Sequence, residues 1–246
     1  MQKIPLEIIM PIYNEGDKVI KLLNLFHASV KTQFRLLLCY DSDDDNIFDY
    51  KNDLKKYSFD TILVKNSSTG PCAAVKEGIN YGNSDCVIVY PADDFLNINI
   101  IDQMYESFKK NNDIVVASRF IKGGTMKRCP LIKSILVRLA SIILYLFSSI
   151  PVRDASNGFR LFSRKLIDTI NIESEVGFAY SLELLVKCNR LKFKIHEMPA
   201  KWEERNEVSG SRFEILKWLP EYLRWFFYGL ETTWLRKGPE DVKKKI

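Results

Sequence analysis

Ser84-Asp85-Cys86-Val87-Ile88-Val89-Tyr90-Pro91-Ala92-Asp93-Asp94-Phe95 sets an apolar run against two adjacent carboxylates. Cys86 to Tyr90 is too short and too β-branched for a helix, so it reads as a buried strand of a parallel sheet. In open α/β sheets ligands bind outside the carboxyl ends of the strands, which is where Asp93 and Asp94 would stand. Adjacent acids repel, and no basic residue neighbours them in sequence. Two readings stay open. A divalent cation such as Mg²⁺ or Mn²⁺ takes one or two carboxylates together with phosphate oxygens and water. Alternatively the pair is an exposed acidic turn, with Asp94 near the start of a helix over Leu96 to Lys110.

Upstream, Leu6 to Ile12 reads as a first strand, broken by Tyr13-Asn14-Glu15-Gly16-Asp17 before helical spacing at Val19, Leu22, Leu23 and Phe26. Arg35 to Tyr40 is a second strand that runs into Asp41-Ser42-Asp43-Asp44-Asp45. Ile47 to Tyr57 has helical spacing, and Thr61 to Val64 is a third strand. Asn66 to Pro71 is a loop by composition, followed by a helix over Cys72 to Tyr81 that ends at Gly82. Gly70 and its hydroxyl neighbours, lying before a helix amino terminus, resemble a phosphate cradle. Neither G-x-x-x-x-G-K-[ST] nor G-x-G-x-x-G occurs, which argues against an ATPase or a dinucleotide dehydrogenase. Strands alternating with helices, with acidic ends after the second and fourth strands, predict a doubly wound parallel sheet that binds a nucleotide.

Downstream, Asp113 to Phe120 is a further strand carrying Arg119 near its end, and Ile121 to Pro130 is a basic loop. Arg119, Lys122, Lys127 and Arg128 offer cations to an anionic ligand, or they form a solvated loop. Leu131 to Ile150 is apolar over about the length of a bilayer span, yet Lys133 and Arg138 interrupt it. Ser134, Arg138, Ser141, Tyr145 and Ser148 make one polar stripe opposite Ile135, Leu139, Ile142, Leu146 and Ile150. That pattern fits a helix lying on a membrane, or a core helix with its apolar face on the sheet. Asp154 to Phe162 is a polar turn entering a strand, Phe178 to Lys187 a helix and Lys194 to Pro199 a strand. Trp202 to Arg212 is a charged loop. In Phe213 to Arg236, Leu216, Leu219, Leu223, Phe226 or Phe227, and Leu230 share a face with Trp218, Tyr222 and Trp225 beside them, suiting a bilayer headgroup region or a dimer contact.

Composition narrows the partners. The 246 residues suit one large α/β domain with an appendage, and a formal net charge of +5 is too mild to indicate nucleic acid. Basic clusters at Lys122 to Lys133 and Arg236 to Lys245 flank apolar stretches, favouring an anionic membrane surface or a phosphate ligand. Five cysteines without C-x-x-C spacing read as reduced core residues of a cytosolic protein. No signal peptide is expected ahead of the first strand, and His27 and His196 read as structural.

Met10-Pro11-Ile12-Tyr13-Asn14-Glu15, Asp41, Pro91-Ala92-Asp93-Asp94, Ala117-Ser118-Arg119, Asp154 through Arg160 and Arg205 through Arg212, taken in order, resemble the family-2 glycosyltransferases. Within that family they resemble the dolichyl-phosphate mannosyltransferase and polyprenyl-phosphate glycosyltransferase branch. The resemblance implies a GT-A fold, a doubly wound, mostly parallel sheet with helices on both faces, over residues 1–212. An amphipathic helical tail over 213–246 would follow. It also implies a GDP- or UDP-linked nucleotide-sugar donor of mannose or glucose type, Mg²⁺ or Mn²⁺, and a polyprenyl or dolichyl phosphate acceptor. The place of work would be the cytoplasmic face of a membrane.

By position, Pro11, Tyr13 and Glu15 would line the nucleoside pocket and Asp41 would contact the base, with Gly70 and Ala92 also on the donor side. Asp93 and Asp94 would hold the metal, and Arg205 and Arg212 would close over the diphosphate. Lys127, Arg128, Asp154, Gly158, Phe159 and Arg160 would form the acceptor side. Asp93, Asp94, Arg119 and Arg160 make the implied catalytic set. The chain departs from the family where Pro91 replaces the first acid of D-x-D, where Tyr40 replaces the first of two paired acids, and where Gly210 follows Ser209 instead of leading it. A lipid monophosphate, with its second pKa at about 6, would attack without a general base. The competing readings are transfer to a sugar hydroxyl with Asp94 as base, and a non-catalytic nucleotide-sugar binder at a membrane.

Overall fold

In the computed structural model, which describes residues 4–203 and 215–235, the run that ends in Pro91 is the central strand of a seven-stranded sheet. The chain opens with β1 (Leu6–Ile12), α1 (Gly16–Ser29), β2 (Phe34–Tyr40), α2 (Lys51–Leu54), β3 (Asp60–Lys65), α3 (Pro71–Tyr81) and β4 (Cys86–Val89). It continues through α4 (Ile101–Lys109), β5 (Ile114–Ser118), β6 (Thr125–Lys127), α5 (Leu131–Phe147), β7 (Arg160–Ser163) and α6 (Arg164–Thr169). Last come α7 (Ala179–Arg190), β8 (Ile195–Pro199), β9 (Lys201–Glu203) and α8 (Ile215–Trp234).

The strand order is β3-β2-β1-β4-β7-β5-β8. β1 to β4 run parallel, and β7 is antiparallel to both β4 and β5, so β5 and β8 run with β4. The expected doubly wound, mostly parallel sheet is therefore what forms. Alternation along β1 sends Ile9 to one face and Leu6, Ile8, Met10 and Ile12 to the other. α1 and α4 cover the second face with Val19, Leu22, Phe26, Ile101 and Met104. α3 and α7 cover the first, joined by Trp225 of α8. β4 is buried on both sides, which is why its sequence is apolar without alternation.

Two segments differ from expectation. Ile47 to Tyr57 is a 3₁₀ turn at Asn46–Tyr50 followed by the four-residue α2. The Asp45 carboxylate accepts the N–H groups of Ile47 (2.9 Å) and Asn14 (2.8 Å), and such local bonds compete with helix propagation. The basic loop contains β6, which pairs with β9 in a separate parallel ladder too short to carry a periodic signal.

α5 is inside out relative to a core helix. Its serines face the protein: Ser141 and Ser148 are buried, while Ile132 is 75% exposed and Leu146 63% exposed. Leu131, Ile135, Leu136, Leu139, Ile142 and Phe147 are exposed alongside them. The core-helix alternative thus fails. In α8 the expected apolar face divides: Trp225 and Leu230 are buried, whereas Leu219, Leu223 and Phe227 stay exposed. The Trp225 indole donates to Ser174 Oγ at 2.8 Å, and α8 packs against α7 and α5. Among the described residues no helix is long and apolar enough to cross a membrane.

At the amino edge of the sheet, Glu7 is wholly buried and paired with Arg35 and Arg164. It also accepts from Ser84 Oγ at 2.8 Å and from the N–H groups of Asn83 and Ser84. Burial alone would raise its pKa, but the bonds from Arg35 and Ser84 hold it below the usual carboxylate value of 4.5. A depressed pKa stabilises the fold above the unfolded value, and this is lost as pH falls through the folded value. Glu7→Gln should cost about 2–4 kcal/mol at neutral pH, since it strands two partly buried cations. Its stability should also fall less than wild type's on acidification below about pH 4.5, which urea unfolding across that range will measure.

Candidate active site

The carboxyl ends of β1 to β5 and the start of β7 share one edge of the sheet, bringing Glu15, Asp41, Gly70, Asp93, Arg119 and the turn at 154–160 to that side. β1 alone separates β2 from β4. Asp41 and Asp93 therefore leave the sheet two strand spacings apart, about 10 Å.

The Asp41 carboxylate accepts the Gly70 N–H at 3.0 Å and Asn66 Nδ2 at 2.7 Å, tying the tip of β2 to the loop before α3. Gly70 has a φ of +97°, and a side chain there would meet open space. A residue with a side chain would be strained at that φ, so glycine is what lets the loop turn beside Asp41. Pro11 and Glu15 are half-buried, with the Glu15 carboxylate 3.8 Å from Lys18 Nζ, and Tyr13 is 50% exposed. Ala92 is buried beneath the β4 tip.

The two acids after β4 part company. Asp93 is exposed, whereas Asp94 folds back on its own loop. Asp94 accepts the N–H groups of Leu96 (2.9 Å) and Asn97 (3.1 Å) on one oxygen and Asn97 Nδ2 (2.6 Å) on the other. Burial raises its pKa, with the Asp93 charge adding to the effect and those bonds opposing it. The expectation that Asp94 joins Asp93 on a metal meets a carboxylate already engaged by three donors, as the acidic-turn reading has it. Among the described residues no cluster of three or more His, Cys, Asp or Glu side chains is placed to hold a metal. A hard cation at this edge would have to draw most of its ligands from phosphate oxygens and water, the mode usual for Mg²⁺.

Of the residues expected on the acceptor side, Asp154 comes together with Arg119. Nε and Nη2 of Arg119 donate to the two carboxylate oxygens at 2.7 and 2.8 Å, and the Arg119 N–H adds a third bond at 2.9 Å. Asp154 is wholly buried; burial alone would raise its pKa, but the Arg119 charge and bonds hold it below the carboxylate range. Arg160, expected to touch the acceptor, is also wholly buried and donates to the carbonyls of Asn157, Ser181 and Ala155. Burial pulls its pKa down to about 10, leaving it charged at neutral pH. It braces the turn from within and does not face a ligand. Phe159 packs edge-on to Tyr90 at 4.8 Å, and Gly158 backs onto Phe178. Lys127 and Arg128 are exposed on the small sheet, where Arg128 pairs with Glu203 at 3.1 Å. Arg205 and Arg212 lie outside the described residues.

Other residues belong to this neighbourhood although no motif marks them. The Arg138 and Arg119 guanidinium carbons lie 4.7 and 5.1 Å from the Phe120 ring centroid. Arg153 lies over Tyr145, and Lys133 over Trp202. The signal for Lys133 and Arg138 was present as charges breaking an apolar run. Glu197 accepts the N–H groups of Arg153 and Asp154 at 2.8 and 2.9 Å, and Ser141 Oγ accepts that of Ala155 at 3.3 Å. These braces join residues remote in sequence and leave no pattern there.

Comparison with known proteins agrees with this fold. The family model described as Glycosyl transferase family 2 matches residues 7–170. The dolichol-phosphate mannosyltransferase of Pyrococcus furiosus is 21% identical over 226 residues, covering 89% of this chain and 63% of its own length. The dolichyl-phosphate beta-glucosyltransferase of Trichomonas vaginalis is 27% identical over 225 residues, covering 85% and 68%. The chain thus spans about two thirds of the length of these relatives. Among solved structures, glucosyl-3-phosphoglycerate synthase from Mycobacterium tuberculosis, in complex with Mn²⁺, uridine diphosphate and glucosyl-3-phosphoglycerate, superposes with a TM-score of 0.64 at 13% identity. That match covers 93% of this chain and 79% of the synthase.

The Arg119–Asp154 pair makes a sharp prediction. Arg119→Met should cost about 3 kcal/mol at neutral pH by stranding a buried carboxylate, and adding Asp154→Asn should recover part of it. Without its partner the carboxyl pKa rises, so the loss should shrink toward about pH 5 as the group takes up a proton. Urea unfolding of both variants at the two pH values measures this.

Proposed function

The chain belongs to glycosyl transferase family 2, and from that premise we propose that it moves a hexose from a nucleotide sugar to a polyprenyl-type lipid monophosphate at a membrane surface. The observation that carries the acceptor class is the outward apolar face of α5, bordered by the cations of Lys133, Arg138 and Arg153. Such a helix lies in the interfacial region with its apolar side among acyl chains, and basic residues meet the headgroups. Both named relatives are dolichyl-phosphate transferases by name, which supports the same acceptor class here.

In this reading the nucleoside sits over Gly70 against Asp41 and Tyr13, and the diphosphate extends toward Asp93. A divalent cation held there, Mg²⁺ or Mn²⁺, would offset the charge building on the leaving diphosphate. The synthase whose fold this chain shares carries uridine diphosphate and Mn²⁺, which supports a diphosphate-linked donor. Arg119 and Arg138, on the Phe120 ring, would receive the lipid phosphate. A phosphate oxygen forms the new bond to the anomeric carbon as the bond from that carbon to the diphosphate breaks. In-line attack inverts the centre. The phosphate is already ionised with a pKa of about 6, so no general base is required. Transfer to a sugar hydroxyl would need one, and its candidate, Asp94, is bound into its own turn.

Purified protein with nucleotide sugar, polyprenyl phosphate and Mn²⁺ should pass labelled sugar into the organic phase, and Asp93→Asn should slow this by about a hundredfold or more. Label that stays aqueous with GDP- and UDP-linked donors alike would sink the reading. In a flotation assay with anionic vesicles, Leu139→Glu/Ile142→Glu should leave the protein at the bottom of the gradient while wild type rises, because each added charge opposes interfacial burial.

A further inference from the structure

The acceptor-side turn is connected to α8 through three residues that the mechanism does not use. Gly177 has a φ of +55°, and a Cβ placed there would lie 2.7 Å from Cδ2 of Trp218. The next residue, Phe178, meets the same indole edge-on, with ring centroids 6.4 Å apart and planes at 81°. On its other side Phe178 Cδ1 lies 3.3 Å from where a Cβ on Gly158 would stand. The Phe178 carbonyl accepts from Ser181 N and Oγ, and the Ser181 carbonyl in turn accepts from Arg160. Two glycines thus remove the side chains that would hold these layers apart, and close-packed layers transmit displacement. Trp218 lies in the first turn of α8, whose Leu219, Leu223 and Phe227 remain exposed.

We propose that Trp218 is a positioning residue for the acceptor: through Phe178 it sets the turn at 154–160, so that α8 fixes where the lipid phosphate is received. This deepens the function proposed above and rests on it for the identity of the acceptor. The contacts themselves do not. Its contacts with Gly177 and Phe178 lead to the 154–160 turn, so its effect should fall on the acceptor.

The test uses the full chain, Trp218→Ala, Gly177→Ala and the conservative Trp218→Phe. Steady-state kinetics should show the acceptor KM raised on the order of tenfold in the first two, as expected for small displacements of a binding group. Donor KM should stay within about twofold, and Trp218→Phe should restore most of the acceptor KM. Hydrogen exchange gives a readout that needs no substrate: the amides of Asp154, Ala155 and Phe159 should exchange faster in Trp218→Ala, while those of β1 and β2 are unchanged. Equal effects on both substrates, or unaltered exchange in the turn, overturn the proposal. Faster exchange in a protein that transfers sugar to no lipid phosphate overturns the proposed function and leaves the mechanical link standing.

Discussion

A guanidinium enclosed by protein has to spend its donors on carbonyls, and Arg160 spends them on Asn157, Ser181 and Ala155. That requirement shapes the far end of the site. It curls the backbone of the 154–160 turn around one side chain, anchors α7 to the same point, and puts Asp154 where Arg119 can pair with both of its oxygens. β7 begins at Arg160 and runs against β4 and β5, so the turn is delivered to the edge where the parallel strands end. A sheet parallel throughout would have begun that strand at the opposite edge.

The loops that follow β2, β3 and β4 are built on a lighter principle. Asp41 gathers the Gly70 N–H and the Asn66 amide, and a glycine in a left-handed conformation leaves space beside them. Asp93 is exposed while Asp94 secures the loop that presents it. The two adjacent acids of the sequence thus part: one side chain reaches the surface and the other is bound into its own turn. A cation held by one carboxylate would take most of its coordination from phosphate and water, and Pro91 stands where the family has a further acid.

Much of this architecture was legible in the residues. Apolar runs ending in acids located β1, β2 and β4 almost to the residue, because buried strands need unbroken hydrophobicity and strand ends do not. The reversal of β7 was hidden, since a four-residue strand has the same pattern in either direction. Arg160 shows the limit most clearly. Its motif implied a contact with the acceptor, but burial decides whether an arginine faces a ligand or the protein interior, and this one is wholly buried. The orientation of α5 was open for a similar reason. Its two faces were plain from the spacing, yet what meets the inner face was not: Ser141 Oγ accepts the Ala155 N–H, and the Ser148 carbonyl accepts from Asn189 Nδ2 while its hydroxyl donates to the Leu144 carbonyl.

A helix that keeps its serines for the protein and offers leucine and isoleucine to the surroundings has a colloidal consequence. In plain buffer, two copies meeting face to face would shield more hydrocarbon from water than either does apart. Purification without detergent or lipid should therefore select for self-associated material, and the size of the particle in solution should follow the amphiphile supplied with it.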